Sequence, residues 1–206
     1  MPYRLIVIAL MLLAGCGQAA AQEAIGAVSR IQGGASGSRG GATEALGLHS
    51  SVYRNEAVST GEAARLEITF VDGTQVTLGE KARLSLDAFV FDPAAGRGTV
   101  KFAAAGAFQF LSGQVSKLAS RDVSVTTPVA TVGIRGTKFW GGPIDNQALG
   151  VFLIEGAVSV SNAAGERILS QPGQGTNIAA PGAAPGPVTI WPVGKVNRAL
   201  AAVTFQ

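Results

Sequence analysis

From residue 51 onward the chain alternates between apolar and polar positions. Leu66, Ile68 and Phe70 stand between Arg65, Glu67 and Thr69, a period of two that gives a strand one apolar face. Val76 and Leu78 continue the pattern, followed by Leu84 and Leu86, Val100 and Phe102, Phe108 and Phe110, Val123 and Val125, and Val158 and Val160. Turn signals fall between these runs: Asp72-Gly73, Asp92-Pro93, Gly96, Gly113, Thr127-Pro128, Gly141-Gly142-Pro143, Glu155-Gly156 and Asn162. Short strands at spacings of about 8–12 residues predict an all-β fold, either a short-stranded two-sheet sandwich or a β-solenoid-like stack.

The hairpin at Asp72 can be predicted in register. A two-residue loop would set Phe70 opposite Gln75 and mix apolar with polar residues on one face. A three-residue loop, Val71-Asp72-Gly73, with Gly73 left-handed, pairs Ile68 with Val76 and Leu66 with Leu78. It keeps one face apolar and is the register expected here.

The flanks read differently. Residues 33–41 (GGASGSRGG) read as a flexible loop or linker. Residues 181–187 (PGAAPGP) favour no regular structure. Beyond them Val196, Leu200 and Val203 fall at i, i+4 and i+7 beside Ala199, which predicts a short amphipathic helix packed on the domain. Three regions follow: an export signal over 1–21, a β domain over 22–180, and a C-terminal region over 181–206.

The first region has the features of an address. Arg4 precedes the unbroken apolar run Leu5 to Leu13, shorter than the about 20 residues a membrane span needs but suited to a secretory signal. Two processing sites compete. Ala19-Ala20-Ala21 before Gln22 is a small-residue cleavage site, and Leu13-Ala14-Gly15-Cys16 resembles a bacterial lipobox, in which Cys16 would be lipidated. Both imply an exported protein, in the periplasm or anchored to a membrane facing it. No later apolar run is long enough to span, so membrane attachment rests on a lipid at Cys16.

Composition removes several functions. Charged residues are 14% of the chain, against roughly 25% in an ordinary domain, and the net charge of +3 is spread along it, so no nucleic-acid patch forms. One cysteine excludes a disulfide framework and a Cys-based metal site. The one histidine, His49, stands among small and polar residues and reads as a loop residue. Asp72 and Asp92 precede Gly and Pro, where a carboxylate holds a turn through its own backbone. No nucleophile elbow, Walker loop or zinc-protease motif is present. The expectation is a protein without catalytic residues, metal or cofactor.

Aromatic and basic residues interleave in one place, Arg135-Gly136-Thr137-Lys138-Phe139-Trp140. The segment reads either as a strand with its rings in the core or as an exposed patch in which Lys138, Phe139 and Trp140 meet a protein or glycan partner. Upstream, Pro128 lacks an N–H and marks an edge or the start of a strand. Gly133 and Gly136 permit a bulge or a close backbone approach, and Arg135 could then bond carbonyls at a corner. On this reading Arg135 is buried and structural, and Trp140 is half exposed at a strand end.

Four segments, Val58-Ser59-Thr60-Gly61, ARLEITFVDGTQVTL (64–78), TPVATVGIRGTKF (127–139) and Glu155-Gly156-Ala157-Val158, together resemble the FecR domain. The Thr127-Pro128 pair followed by Gly133-Ile134-Arg135-Gly136-Thr137 is the most specific part, and the likeness covers roughly residues 50 to 180. The resemblance implies an all-β periplasmic module. In the best-known members that module belongs to an inner-membrane regulator that senses a loaded outer-membrane transducer and controls a sigma factor. This sequence has neither the cytoplasmic anti-sigma helices nor the transmembrane helix of those regulators, so the transmembrane role is not expected of it. A non-catalytic envelope module that senses or binds a protein partner is the expectation, with a structural protein contacting cell-wall glycan as the alternative.

Overall fold

The computed structural model describes residues 23–206. The expected export signal and Cys16 lie outside them. The described residues form β1 (Ala24–Gln32), β2 (Ala35–Arg39), β3 (Ala42–Leu46), β4 (Ser51–Tyr53), β5 (Ala57–Thr60), β6 (Arg65–Phe70), β7 (Gln75–Leu78), β8 (Arg83–Asp92), β9 (Arg97–Ala105) and β10 (Phe108–Leu111). A 3-10 turn, η1 (Gln114–Lys117), leads into β11 (Ser120–Thr126), β12 (Thr131–Ile144), β13 (Gln147–Asn162), β14 (Gly165–Leu169), β15 (Gln174–Ile178) and β16 (Thr189–Ile190), and α1 (Val193–Ala201) follows.

The strands hydrogen-bond in the order β3-β2-β5-β8-β9-β11-β12-β10-β7-β6-β1-β4, and β13 joins β14 and β15 to β12. The fold is mostly β with one short C-terminal helix, as expected, but the strands make one strongly curled half-barrel sheet and do not separate into two sheets. Alternation along a strand reports one buried face, and both arrangements supply that face. Twist accumulating over many strands curls the sheet so that its inner face wraps one core.

The Asp72 hairpin has the expected register: Leu66 lies opposite Leu78 and Ile68 opposite Val76. The Phe70 N–H donates to the Thr74 carbonyl at 2.8 Å, and Gly73 is left-handed at φ 81°. The inner face buries Leu66, Ile68, Phe70, Val76, Leu78, Phe102 and Phe110 in one core. Within it Phe70 stacks on Phe89 at 5.4 Å and leans on Phe102 at 4.9 Å.

Three expected loops are strands. Residues 35–39 form β2, paired with β3 and β5, and only the ends of the expected loop turn: Gly33-Gly34, with Gly33 at φ 72°, and Gly40-Gly41, both at positive φ. Gly141-Gly142-Pro143 lies within β12, and the chain reverses afterwards at Asp145 and Asn146. Glu155-Gly156 lies within β13 at an irregularity, not at a hairpin. The short helix packs on the domain as predicted, although it ends at Ala201, before Val203, and Leu200 is only half-buried. Ala199 and Val203 are buried with Trp140, Phe152 and Trp191 in a second cluster, against which Val196 also packs. That cluster covers the outer face of β12 and β13, so these two strands are buried on both sides where α1 lies.

Candidate functional site

The segment from Thr127 to Trp140 begins with a tight turn. The Thr127 hydroxyl donates to the Ala130 carbonyl at 2.8 Å and accepts from the Ala130 N–H at 3.1 Å. Pro128 is exposed in that turn, immediately before β12, where its missing N–H costs no ladder bond. Gly133 faces Ser159 across the ladder, and a side chain there would press on the Ser159 hydroxyl.

A bulge follows. Register between β12 and β13 shifts between Arg135 and Lys138, and Gly136 is left-handed at φ 62°. Gly156 sits directly opposite at φ 83°, where a Cβ would collide with the Gly136 carbonyl oxygen. Thr137 closes the gap left in the ladder. Its buried hydroxyl donates to the Ala157 carbonyl at 2.6 Å and accepts from the Ala157 N–H at 3.2 Å. Its own backbone is tied to the end of β10: the Thr137 N–H donates to the Ser112 hydroxyl and the Ser112 N–H to the Thr137 carbonyl, each at 2.9 Å.

The carbonyl-bonding role expected of Arg135 is therefore carried by Thr137. Arg135 is exposed, because alternation on β12 turns Ile134 inward and its neighbour outward. Of the two readings of the aromatic pair, the one with the rings in the core is the one seen, and the half exposure expected of Trp140 is corrected. Phe139 is 0% exposed in the main core, and Trp140 is 1% exposed in the outer cluster. Trp191 covers Trp140 at 6.2 Å between ring centroids and stacks on Phe152 at 5.3 Å. Of the three candidate contact residues only Lys138, which is half-buried, reaches the surface.

Around the bulge lies a hollow of about 280 Å³ lined by Ser112, Ser116, Lys117, Gly136, Lys138 and Glu155. Lys138 faces Glu155 in the ladder without an ion pair. Lys117, Arg135 and Lys138 have no hydrogen-bond or ion-pair partner among the described residues. Unpaired cations thus stand on both sides of the bulge.

A second polar knot holds η1 beside this hollow. The Asp72 side chain is 0% exposed. It accepts from the Thr74 N–H at 2.9 Å, the Thr74 hydroxyl at 2.8 Å and the Val115 N–H at 3.1 Å. Sequence reasoning assigns Asp72 to its own turn and misses the reach to Val115, for which local spacing gives no signal. Gly113 lies so close to Asp72 and Thr74 that a Cβ there would strike the Thr74 nitrogen. His49 is exposed in a turn at φ 68°. Among the described residues no group of three or more His, Cys, Asp or Glu side chains is placed to hold a metal ion, and no helix is long and apolar enough to cross a membrane.

A family model described as FecR protein matches residues 56–159, from the start of the β5 segment into β13. The chain belongs to the FecR family. The Thr137 knot, the Gly136 bulge and the Asp72 clamp all lie inside the matched stretch of this FecR chain. The fold is shared with two solved structures of a candidate anti-sigma factor from Parabacteroides distasonis ATCC 8503. Both give a TM-score of 0.56, at 18% and 17% identity, and cover 70% of this chain. They are matched over 63% and 64% of their own length, so this chain spans less than two thirds of either. No curated protein matches the sequence.

Proposed function

We propose that this FecR chain is a non-catalytic sensing or binding module of the cell envelope, exported and tethered through a lipid at Cys16, that works by contacting a protein partner. The observation that carries the reading is how the family's most specific segment uses its groups. Thr127 is spent on the turn, Gly133 on the close approach to Ser159, and Gly136 and Thr137 on the bulge. Arg135, Lys138 and the adjacent Lys117 are left unpaired around that rigid feature. Cations held on a stiff sheet steer and orient a partner that presents carboxylates, since opposite charge speeds encounter and fixes register. Family membership supports a regulatory role.

Affinity capture from isolated envelopes tests this, with wild-type protein beside a Lys117→Glu, Arg135→Glu double variant. One envelope protein should be recovered with the wild type and lost with the variant, while the thermal midpoint stays unchanged. Equal recovery with both would contradict the reading. Retention on isolated peptidoglycan without a protein partner would instead favour a structural contact with cell-wall glycan.

A further inference from the structure

A groove of about 360 Å³ runs between the outer face of the sheet and the chain that follows α1. Its floor is a row of polar side chains across neighbouring strands. Arg30 of β1 pairs with Glu67 of β6, Glu67 with Thr77 of β7, and Thr77 with Gln109 of β10. Lys138 and Ile154 complete the floor, and Leu200, Val203 and Phe205 form the roof. The roof is pinned at both ends. Val203 is buried in the outer cluster. At the far end the Arg30 guanidinium lies 4.1 Å over the Phe205 ring, and the Gln206 N–H donates to Gln32 Oε1 at 2.9 Å. The groove stays open between these anchors.

The polar groups on its floor are unevenly satisfied. Glu67 is already engaged, accepting from the Ser29 hydroxyl at 2.9 Å and the Thr77 hydroxyl at 3.4 Å. The side chains of Lys138 and Gln109 have no hydrogen-bond or ion-pair partner among the described residues. Arg30 rests on an aromatic face and has no ion pair among them. Two cations therefore stand against one hydrogen-bonded carboxylate, with an unused amide between them. The ammonium of half-buried Lys138, without a partner, forgoes charge-assisted hydrogen bonds that an anion would supply.

We infer that this groove is a binding site for a small anionic amphiphile. Its anionic group is taken by the Lys138 ammonium and the Gln109 amide, and its apolar part lies against Ile154, Leu200, Val203 and Phe205. The volume falls at the lower end of the range for small-molecule sites, roughly 300–1,000 Å³, which suits a short chain or a single ring. The groove shares Lys138 with the partner surface proposed above, but Lys117 and Arg135 lie outside it, so the two readings can be tested apart.

Decanoate is the probe, with decanol and decyltrimethylammonium as neutral and cationic controls of the same tail. Calorimetry on the purified full chain should show saturable one-to-one binding of decanoate, weaker binding of decanol and none of the cation. Lys138→Gln should weaken decanoate about tenfold, the size expected for losing one charged hydrogen bond, without shifting the thermal midpoint. Phe205→Ala should weaken decanoate and decanol alike, and the Lys117→Glu, Arg135→Glu variant should bind as wild type. Equal binding of all three probes, no binding of decanoate, or decanoate binding untouched by Lys138→Gln would overturn the assignment.

Discussion

At Thr137 a single hydroxyl serves a carbonyl and an N–H of the same partner residue, Ala157, where the bulge has opened the ladder. Valine in its place keeps the shape and removes both bonds, leaving a buried donor and acceptor unpaired. Thr137→Val should therefore lower stability by about 2–3 kcal/mol in urea denaturation, and Thr137→Ser should recover most of it. Arg135→Ala should change stability by less than about 0.5 kcal/mol, as for an exposed side chain without contacts. Local sequence makes Arg135 attractive as a corner residue because a guanidinium carries many donors. Alternation along β12 decides against it, since Ile134 takes the inward position. Trp140 was illegible for a different reason. Its neighbour Phe139 already faces the core, and only a segment fifty residues downstream, Trp191 with α1, buries the opposite face.

Elements are where the sequence was most informative and also where glycine misled. The β6–β7 register was legible because a shift by one residue would turn Ile68 and Leu66 to water. Beyond the turn, Asp72 fastens that hairpin to η1 through Val115. Asp72→Ala should cost about 2–4 kcal/mol, because buried N–H groups of Thr74 and Val115 lose a charged acceptor. Gly141 and Gly142 look like a turn but are seats for neighbours: a Cβ on Gly141 would lie 2.6 Å from Phe108 Cζ, and one on Gly142 2.7 Å from Ala107 Cα. At the C-terminal element, Arg198 donates to Asp145 at 2.8 Å and Lys195 stands 3.5 Å away. Asp145 is held below its ordinary value, first by the hydrogen bond from Arg198 and then by the nearby positive charges. A lowered carboxylate stabilises the folded form above its unfolded value and loses that contribution as pH falls through the folded one. Hydrogen exchange in α1 should therefore quicken as pH falls through the acid range below 3.8, once intrinsic rates are divided out, and Asp145→Asn should quicken it at neutral pH too. Unchanged protection in both would remove the ion pair as a latch for the helix.

At the scale of the whole molecule, strand content and the C-terminal helix were legible, whereas the curl of the single sheet was not. Period-two patterning says that a strand has one buried side. Whether that side meets a second sheet or the far end of the same one depends on pairings such as β10 between β7 and β12, which no local window contains. Residues 33–41 were misread because small residues suit a flat paired strand as well as a linker: Ser36 and Ser38 of β2 pair with Ser59 and Ala57 of β5. The placement of the molecule in the cell rests on its first residues. Cys16→Ser should release the protein from the membrane fraction into the soluble periplasm, and a mature N-terminus at Gln22 in the wild type would contradict lipidation.

The most direct measurement of the proposed function is photo-crosslinking in living cells from a benzophenone amino acid placed at position 117, beside the bulge. Position 48 serves as the control, since Leu48 is 54% exposed in the turn between β3 and β4. One discrete adduct with an envelope protein from position 117, absent from position 48 and lost in the Arg135→Glu background, is the result predicted. Adducts of equal pattern from both positions, or none from position 117, would contradict a partner site at the bulge.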